Sequence, residues 1–138
     1  LPTMEASGIV VGLENVWNGF FASPNDMAGF VDTFDSACIR AYFDVGNVLV
    51  NSIPEDWIEI LGRRICRVHV KDFLRTGANQ GAFVNLLQGD ARWDRVVKAL
   101  VQAGYDDCLT AELSAMPAHP EYLYRITSLA LDEILKMA

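Results

Sequence analysis

Four short apolar runs each carry one metal-ligand-type side chain near the C-terminal end: Glu14 in GIVVGLE, Asp44 in AYFDV, His69 in ICRVHVKD and Glu112 in CLTAEL. Side chains alternate between faces with a period of two along a strand. Sorted this way, Ile9, Val11 and Leu13 oppose Val10, Gly12 and Glu14, and Ala41, Phe43 and Val45 oppose Arg40, Tyr42 and Asp44. Cys66, Val68 and Val70 oppose Ile65, Arg67 and His69, while Leu109, Ala111 and Leu113 oppose Cys108, Thr110 and Glu112. One face is apolar every time; the other ends in a ligand. Taken singly, a strand-end Asp is usually a helix cap and a lone strand His usually a hydrogen-bonded core residue. The repetition over four strands argues for a shared focus. Three carboxylates in one place repel and raise one another's pKa, and a divalent cation removes the conflict. One imidazole and three carboxylates suit Mn²⁺, Mg²⁺ or Co²⁺, and Zn²⁺ also fits.

The intervening sequence must place those ends together. Strands are expected at about 8–14, 41–45, 65–71 and 108–113. Ser23 reads as an N-cap, with Pro24 opening a helix and Asp26 closing a capping box. Pro54 opens a short helix that Gly62 ends, Asp90 reads as the N-cap of a helix over 91–103, and a last helix starts at Pro120. His119 reads as an N-cap or surface residue, and Trp57 and Trp93 as packing residues. Residues 73–90 read as a long Gly-containing loop. Alternating strands and helices imply βαβ units, a parallel sheet and, through right-handed crossovers, one edge gathering all four strand C-termini. The expected class is α/β, in a single domain spanning 1–138. Arg40 and Arg67 fall on the inner face and are expected to form ion pairs.

Composition narrows the function. The chain has 138 residues and a net charge of −7, which repels duplex DNA and acidic membranes. No apolar run reaches the roughly 18 residues of a membrane span, and the N-terminus lacks the pattern of a signal peptide. Cys38, Cys66 and Cys108 form no CxxC pair and read as buried, reduced thiols of a cytoplasmic protein.

The motifs ENVWN (14–18), YFDVGN (42–47), RVHVKDFLR (67–75), LLQGD (86–90) followed by Trp93, and LTAEL (109–113) together resemble the sugar phosphate isomerase/epimerase family. This is the xylose isomerase-like TIM-barrel group that includes D-tagatose 3-epimerase, hexulose-phosphate isomerases and L-ribulose-5-phosphate epimerases. The resemblance spans about residues 8–113 and implies four βα units forming the second half of a (β/α)₈ barrel. It implies a divalent ion, Mn²⁺ first, held by Glu14, Asp44, His69 and Glu112. It also implies that Glu14 and Glu112 are the acid/base pair acting on a ketose or sugar phosphate through an enediolate. Arg75, six residues after His69, falls on the family's substrate-contacting arginine. Asn47 stands where many ketose 3-epimerases carry His; it can hydrogen-bond a sugar hydroxyl but cannot titrate near neutrality. Trp17 and Lys71 are further candidates for the sugar pocket, though a strand-end Lys also reads as solvated or as paired with a carboxylate such as Asp72.

A full barrel needs about 250 residues and eight βα units. The chain supplies four, so it is expected either to be a fragment, to meet a separate N-terminal half, or to dimerise through its open edges. An inactive truncated relative is the alternative reading. An endonuclease IV-like DNA-repair enzyme is a third, disfavoured by the two His and the acidic charge.

Overall fold

The computed structural model describes residues 1–78 and 80–138; Asn79, inside the expected 73–90 loop, lies outside them. In chain order the elements are α1 (Pro2–Ser7), β1 (Val11–Glu14), α2 (Pro24–Asp32), β2 (Ile39–Asp44), α3 (Val45–Leu49) and α4 (Pro54–Leu61). A 3₁₀ turn over Gly62–Arg64 leads into β3 (Ile65–Val70), β4 (Asp72–Gly77), β5 (Gln80–Val84), α5 (Trp93–Gln102), β6 (Leu109–Ala111) and α6 (Pro120–Leu135). Strands β1, β2, β3 and β6 form one parallel sheet in that order, with β1 and β6 at its edges. This is the α/β arrangement of half a (β/α)₈ barrel.

The helices lie in a row over one face of the sheet, α2 beside α4, α4 beside α5, and α5 beside α6. Between them is the core: Ala41, Phe43, Val68 and Val70 from the strands meet Met27, Ile58, Leu61, Val96 and Ile134 from the helices. Ser23 caps α2 as its sequence suggests: its hydroxyl accepts from the Asp26 N–H. Only half of the expected capping box forms, because the Asp26 carboxylate accepts from the Ser23 hydroxyl. Gly62 ends α4 at φ 50°, a left-handed conformation that favours glycine.

Several expected boundaries move. The first strand begins at Val11, because residues 2–7 form α1 and Gly8 closes it in the left-handed region. The second runs Ile39–Asp44, and Val45 already belongs to α3. The third stops at Val70, and the fourth covers only Leu109–Ala111. The face assignment of Ile65 and Cys66 is reversed by an irregularity in pairing: Ala41 faces Ile65 but Tyr42 faces Arg67, so one residue of β3 is skipped. Ile65 therefore joins the core. Cys66 turns to the inner face, where its Sγ would stand 3.2 Å from a Cβ placed on Gly12.

The expected loop at 73–90 contains an antiparallel hairpin, β4 with β5. Asp90 is not the N-cap of the fifth helix, which begins at Trp93. Its carboxylate instead accepts from the Arg75 backbone N–H, and its own N–H donates to the Phe73 carbonyl, tying the hairpin to the loop. Of the three free cysteines, Cys38 and Cys66 are buried and Cys108 is exposed. Trp57 and Trp93 pack in the core, but Trp17 is 56% exposed. His119 occupies the cap position of α6 without a side-chain capping bond. Arg67 pairs with Asp107, whereas Arg40 bonds the carbonyls of Arg63 and Ile65 and, among the described residues, no carboxylate. No helix among the described residues is long and apolar enough to cross a membrane.

Candidate metal centre

Parallel strands present their C-terminal ends together, and here those ends carry Glu14, Asp44, His69 and, one residue beyond β6, Glu112. The β-ladder continues to Glu112 through its N–H, which donates to the Val70 carbonyl. One ligand atom from each of the four residues lies within 4.8 Å of all the others. His69 Nδ1 sits at the focus, 3.2 Å from Glu14 Oε1, 3.4 Å from Glu112 Oε2 and 3.8 Å from Asp44 Oδ2. The Tyr42 ring, 4.1 Å from the imidazole between centroids, backs it.

Asp44 is fully buried. Its Oδ1 accepts from the Asn47 N–H at 2.8 Å, capping α3, while Oδ2 has no hydrogen-bond donor. Lys71 Nζ stands 3.2 Å from Oδ2 as an ion-pair partner, so that oxygen has a neighbouring charge but no hydrogen-bond partner among the described residues. An orphaned carboxylate oxygen in a buried position is costly. Burial pushes the Asp44 pKa up to about 6, against the opposing pull of the Asn47 N–H and the Lys71 charge. A divalent cation fits this arrangement, because it would satisfy Oδ2 and remove the repulsion among three carboxylates at once.

Lys71 pairs with Asp44 and Glu112 rather than with Asp72. Its Nζ is 2.9 Å from Glu112 Oε2. That hydrogen bond is the main reason the Glu112 carboxyl is held below the ordinary range. For Lys71 itself, burial works against the charge, but the bond to Glu112 and the nearby charge of Asp44 outweigh it and the pKa is raised. The close approach of α3 to the end of β3 fixes the lysine stem, since a Cβ on Gly46 would stand 2.6 Å from Lys71 Cβ.

Asp72 is fully buried and serves the scaffold. Its carboxylate accepts from the N–H groups of Phe73, Gly89 and Ala91 and from Trp93 Nε1. Gly89 is required there, since a Cβ at that position would fall 2.1 Å from Asp72 Oδ1. The network anchors the hairpin, which carries Phe83 to a point where its ring centroid lies 4.8 Å from Lys71 Nζ. Trp17 stacks on Phe83 at 5.0 Å and donates from Nε1 to the Asn47 carbonyl. Trp17, Asn47 and Lys71 thus flank the four-residue cluster. Arg75 does not join it: its guanidinium is held by Asp90 on the outer part of the hairpin.

Two contributors escaped the sequence reading. Asn15 is buried and bonds the Asp44 backbone; the only signal is its place directly after Glu14. Phe83 lay in the expected loop, and no periodicity marks it.

The family described as xylose isomerase-like TIM barrel matches residues 1–134. No curated protein matches the chain. Among solved structures, the xylose isomerase domain protein from Planctomyces limnophilus is similar at 22% identity and TM-score 0.79, over 96% of this chain and 48% of that one. The IOLI protein with a binding zinc atom is similar at 18% identity and TM-score 0.80, over 96% and 51% of the two chains. D-Psicose 3-epimerase with D-tagatose from Clostridium cellulolyticum H10 is similar at 18% identity and TM-score 0.79, over 99% and 52%. The chain therefore spans about half the length of the solved structures it matches.

Proposed function

The chain belongs to the xylose isomerase-like TIM barrel family, and from that membership we propose that it carries the metal centre of an isomerase or epimerase acting on a ketose or sugar phosphate. One observation carries the proposal: four ligand atoms from four strand ends lie within 4.8 Å of one another around a buried carboxylate oxygen that lacks a donor. Glu14, Asp44, His69 and Glu112 would hold the ion. Mn²⁺ is the first choice for one imidazole and three carboxylates, with Mg²⁺, Co²⁺ and Zn²⁺ as alternatives. The zinc atom of one solved neighbour supports a divalent ion in this fold. When bound, the cation supplies positive charge that lowers the cost of negative charge developing on substrate oxygens.

The protein groups do the proton work. Glu14 and Glu112 come from the two edge regions of the sheet and reach His69 Nδ1 at 3.2 and 3.4 Å. One carboxylate removes the proton next to the ketose carbonyl, and the other returns one to the resulting enediolate. Return to the opposite face of the same carbon gives epimerisation; return at the neighbouring carbon gives aldose–ketose isomerisation. Trp17 offers an exposed aromatic face to the sugar, and Asn47 a hydrogen-bonding side chain. Lys71 offers a charge, and Arg75, released from Asp90, would orient a hydroxyl or phosphate. The sugar-epimerase names among the structural neighbours support this substrate class.

The test is solvent deuterium exchange at the carbon next to the carbonyl, followed by NMR with a panel of ketoses and their phosphates in the presence of Mn²⁺. Exchange that vanishes in Glu14→Gln and in Glu112→Gln supports the two-carboxylate mechanism. Metal binding without exchange on any substrate would instead support the inactive-relative reading.

A further inference from the structure

Three carboxylates and one ammonium share this centre, which leaves it two positive charges short of neutrality, the charge that one divalent ion supplies. The ammonium is built in. The Lys71 side chain is only 13% exposed. Its stem is clamped where Gly46 lets α3 approach the end of β3. Its Nζ stands between two carboxylates, at 3.2 Å from Asp44 Oδ2 and 2.9 Å from Glu112 Oε2. Its other side faces the Phe83 ring, which Trp17 and Phe73 hold by stacked and edge contacts. A cation near an aromatic face keeps part of its stabilisation there when a carboxylate is taken away.

We infer that Lys71 is the resident counter-cation of the centre: it holds Asp44 and Glu112 in their ligand positions in the metal-free chain, and it competes with the divalent ion for them. The inference rests on the metal-centre reading above and adds a residue that sets the centre's affinity without being a ligand. The lysine keeps the acidic cluster assembled before the ion arrives. With an ion held by the four ligands, Lys71 Nζ would leave Asp44 Oδ2 and rest against the Phe83 ring. The cost of this device is weaker metal binding, since a positive charge a few ångströms from a divalent ion repels it.

The experiment compares Mn²⁺ affinity by calorimetry and metal-free melting temperature for the wild-type chain, Lys71→Met and Lys71→Arg. Lys71→Met should bind Mn²⁺ at least about tenfold more tightly, which is about 1.4 kcal/mol. Its metal-free form should melt about 4 °C or more below wild type, a deficit that Mn²⁺ removes. Lys71→Arg keeps the charge and should restore the melting temperature and the weaker affinity. A lysine that merely packs would leave Mn²⁺ binding in Lys71→Met no tighter than in the wild type. Equal or weaker binding there, or an unchanged metal-free melting temperature, overturns the proposal while leaving the metal centre standing. No Mn²⁺ binding by the wild-type chain overturns both. Should Lys71→Met fail to fold, wild-type structures with and without Mn²⁺ decide it. Nζ should leave Asp44 Oδ2 in the loaded form, and an unchanged 3.2 Å separation contradicts the proposal.

Discussion

Asn15 and Asp44 exchange two hydrogen bonds across neighbouring strand ends: Asn15 Nδ2 donates to the Asp44 carbonyl at 2.9 Å, and the Asp44 N–H donates to Asn15 Oδ1 at 2.7 Å. Both residues are buried. The pair fixes the backbone of Asp44 from the outside while its carboxylate faces the metal focus. It also locks the end of β1, and with it Glu14, to the end of β2. Two of the four ligands are therefore positioned by one side chain that binds nothing itself.

Removing that side chain should loosen the centre. Asn15→Ala leaves a buried N–H and carbonyl unpaired, a loss of about 2 kcal/mol. Outer-shell groups of this kind are worth about 10–100-fold in metal affinity, so Mn²⁺ binding should weaken within that range. Calorimetric titration and thermal melting of the same variant check both numbers. Unchanged affinity would mean that Asp44 is held by other contacts.

The Asp72 network should matter more for stability than for metal. Asp72→Ala leaves three backbone N–H groups and the Trp93 indole without their acceptor. The expected loss is about 3 kcal/mol or more in denaturant unfolding. The hairpin carrying Phe83 should also exchange its amide hydrogens faster. A loss below about 1 kcal/mol would show that water replaces the carboxylate at little cost.

Metal binding should depend on pH through Asp44. In the metal-free fold its pKa is raised from the model-peptide value of 3.8 to about 6 by burial. Folding therefore favours its protonated form. That contribution to metal-free stability is fully present below 3.8 and is lost as pH rises through about 6. A cation needs the ionised form, so its effect runs the other way. The rise in melting temperature on adding Mn²⁺ should be small at pH 5 and reach its full size above pH 7. A pH-independent rise would contradict a raised Asp44 pKa in the metal-free fold.

The sheet edges carry a prediction about assembly. Among the described residues, strands β1 and β6 each have a neighbour on one side only, and Val10 and Val11 at the β1 edge are 48% and 37% exposed. Open parallel edges invite pairing with another chain. The chain should sediment as a species larger than its 15.3 kDa, either as a two-fold pair or in complex with an N-terminal half. A monomer of 15.3 kDa with cooperative unfolding would contradict this.

The strands and their ligand positions were legible because period-two alternation depends only on neighbouring residues. Asp44, His69 and Glu112 each follow an apolar residue that the core requires, namely Phe43, Val68 and Ala111. Other features depend on the third dimension, which local sequence does not carry. The skipped residue at Cys66 reversed one face locally, and nothing in ICRVHV announces it. The hairpin was hidden because its own strands are half exposed and its anchor, Asp72, looks like any strand-end carboxylate. For Lys71 the sequence suggests only solvation or a carboxylate such as the adjacent Asp72, yet residues adjacent in an extended chain point to opposite sides. Its true partners lie on the neighbouring strands.

The metal centre itself is tested most directly by titrating the metal-free chain with Mn²⁺ and counting ions bound. One ion per chain is expected, with binding lost on Asp44→Asn and on His69→Ala, because each change removes one donor from a set whose ligand atoms lie within 4.8 Å. No binding, or binding that survives both substitutions undiminished, would contradict the assignment of Glu14, Asp44, His69 and Glu112 as a metal site.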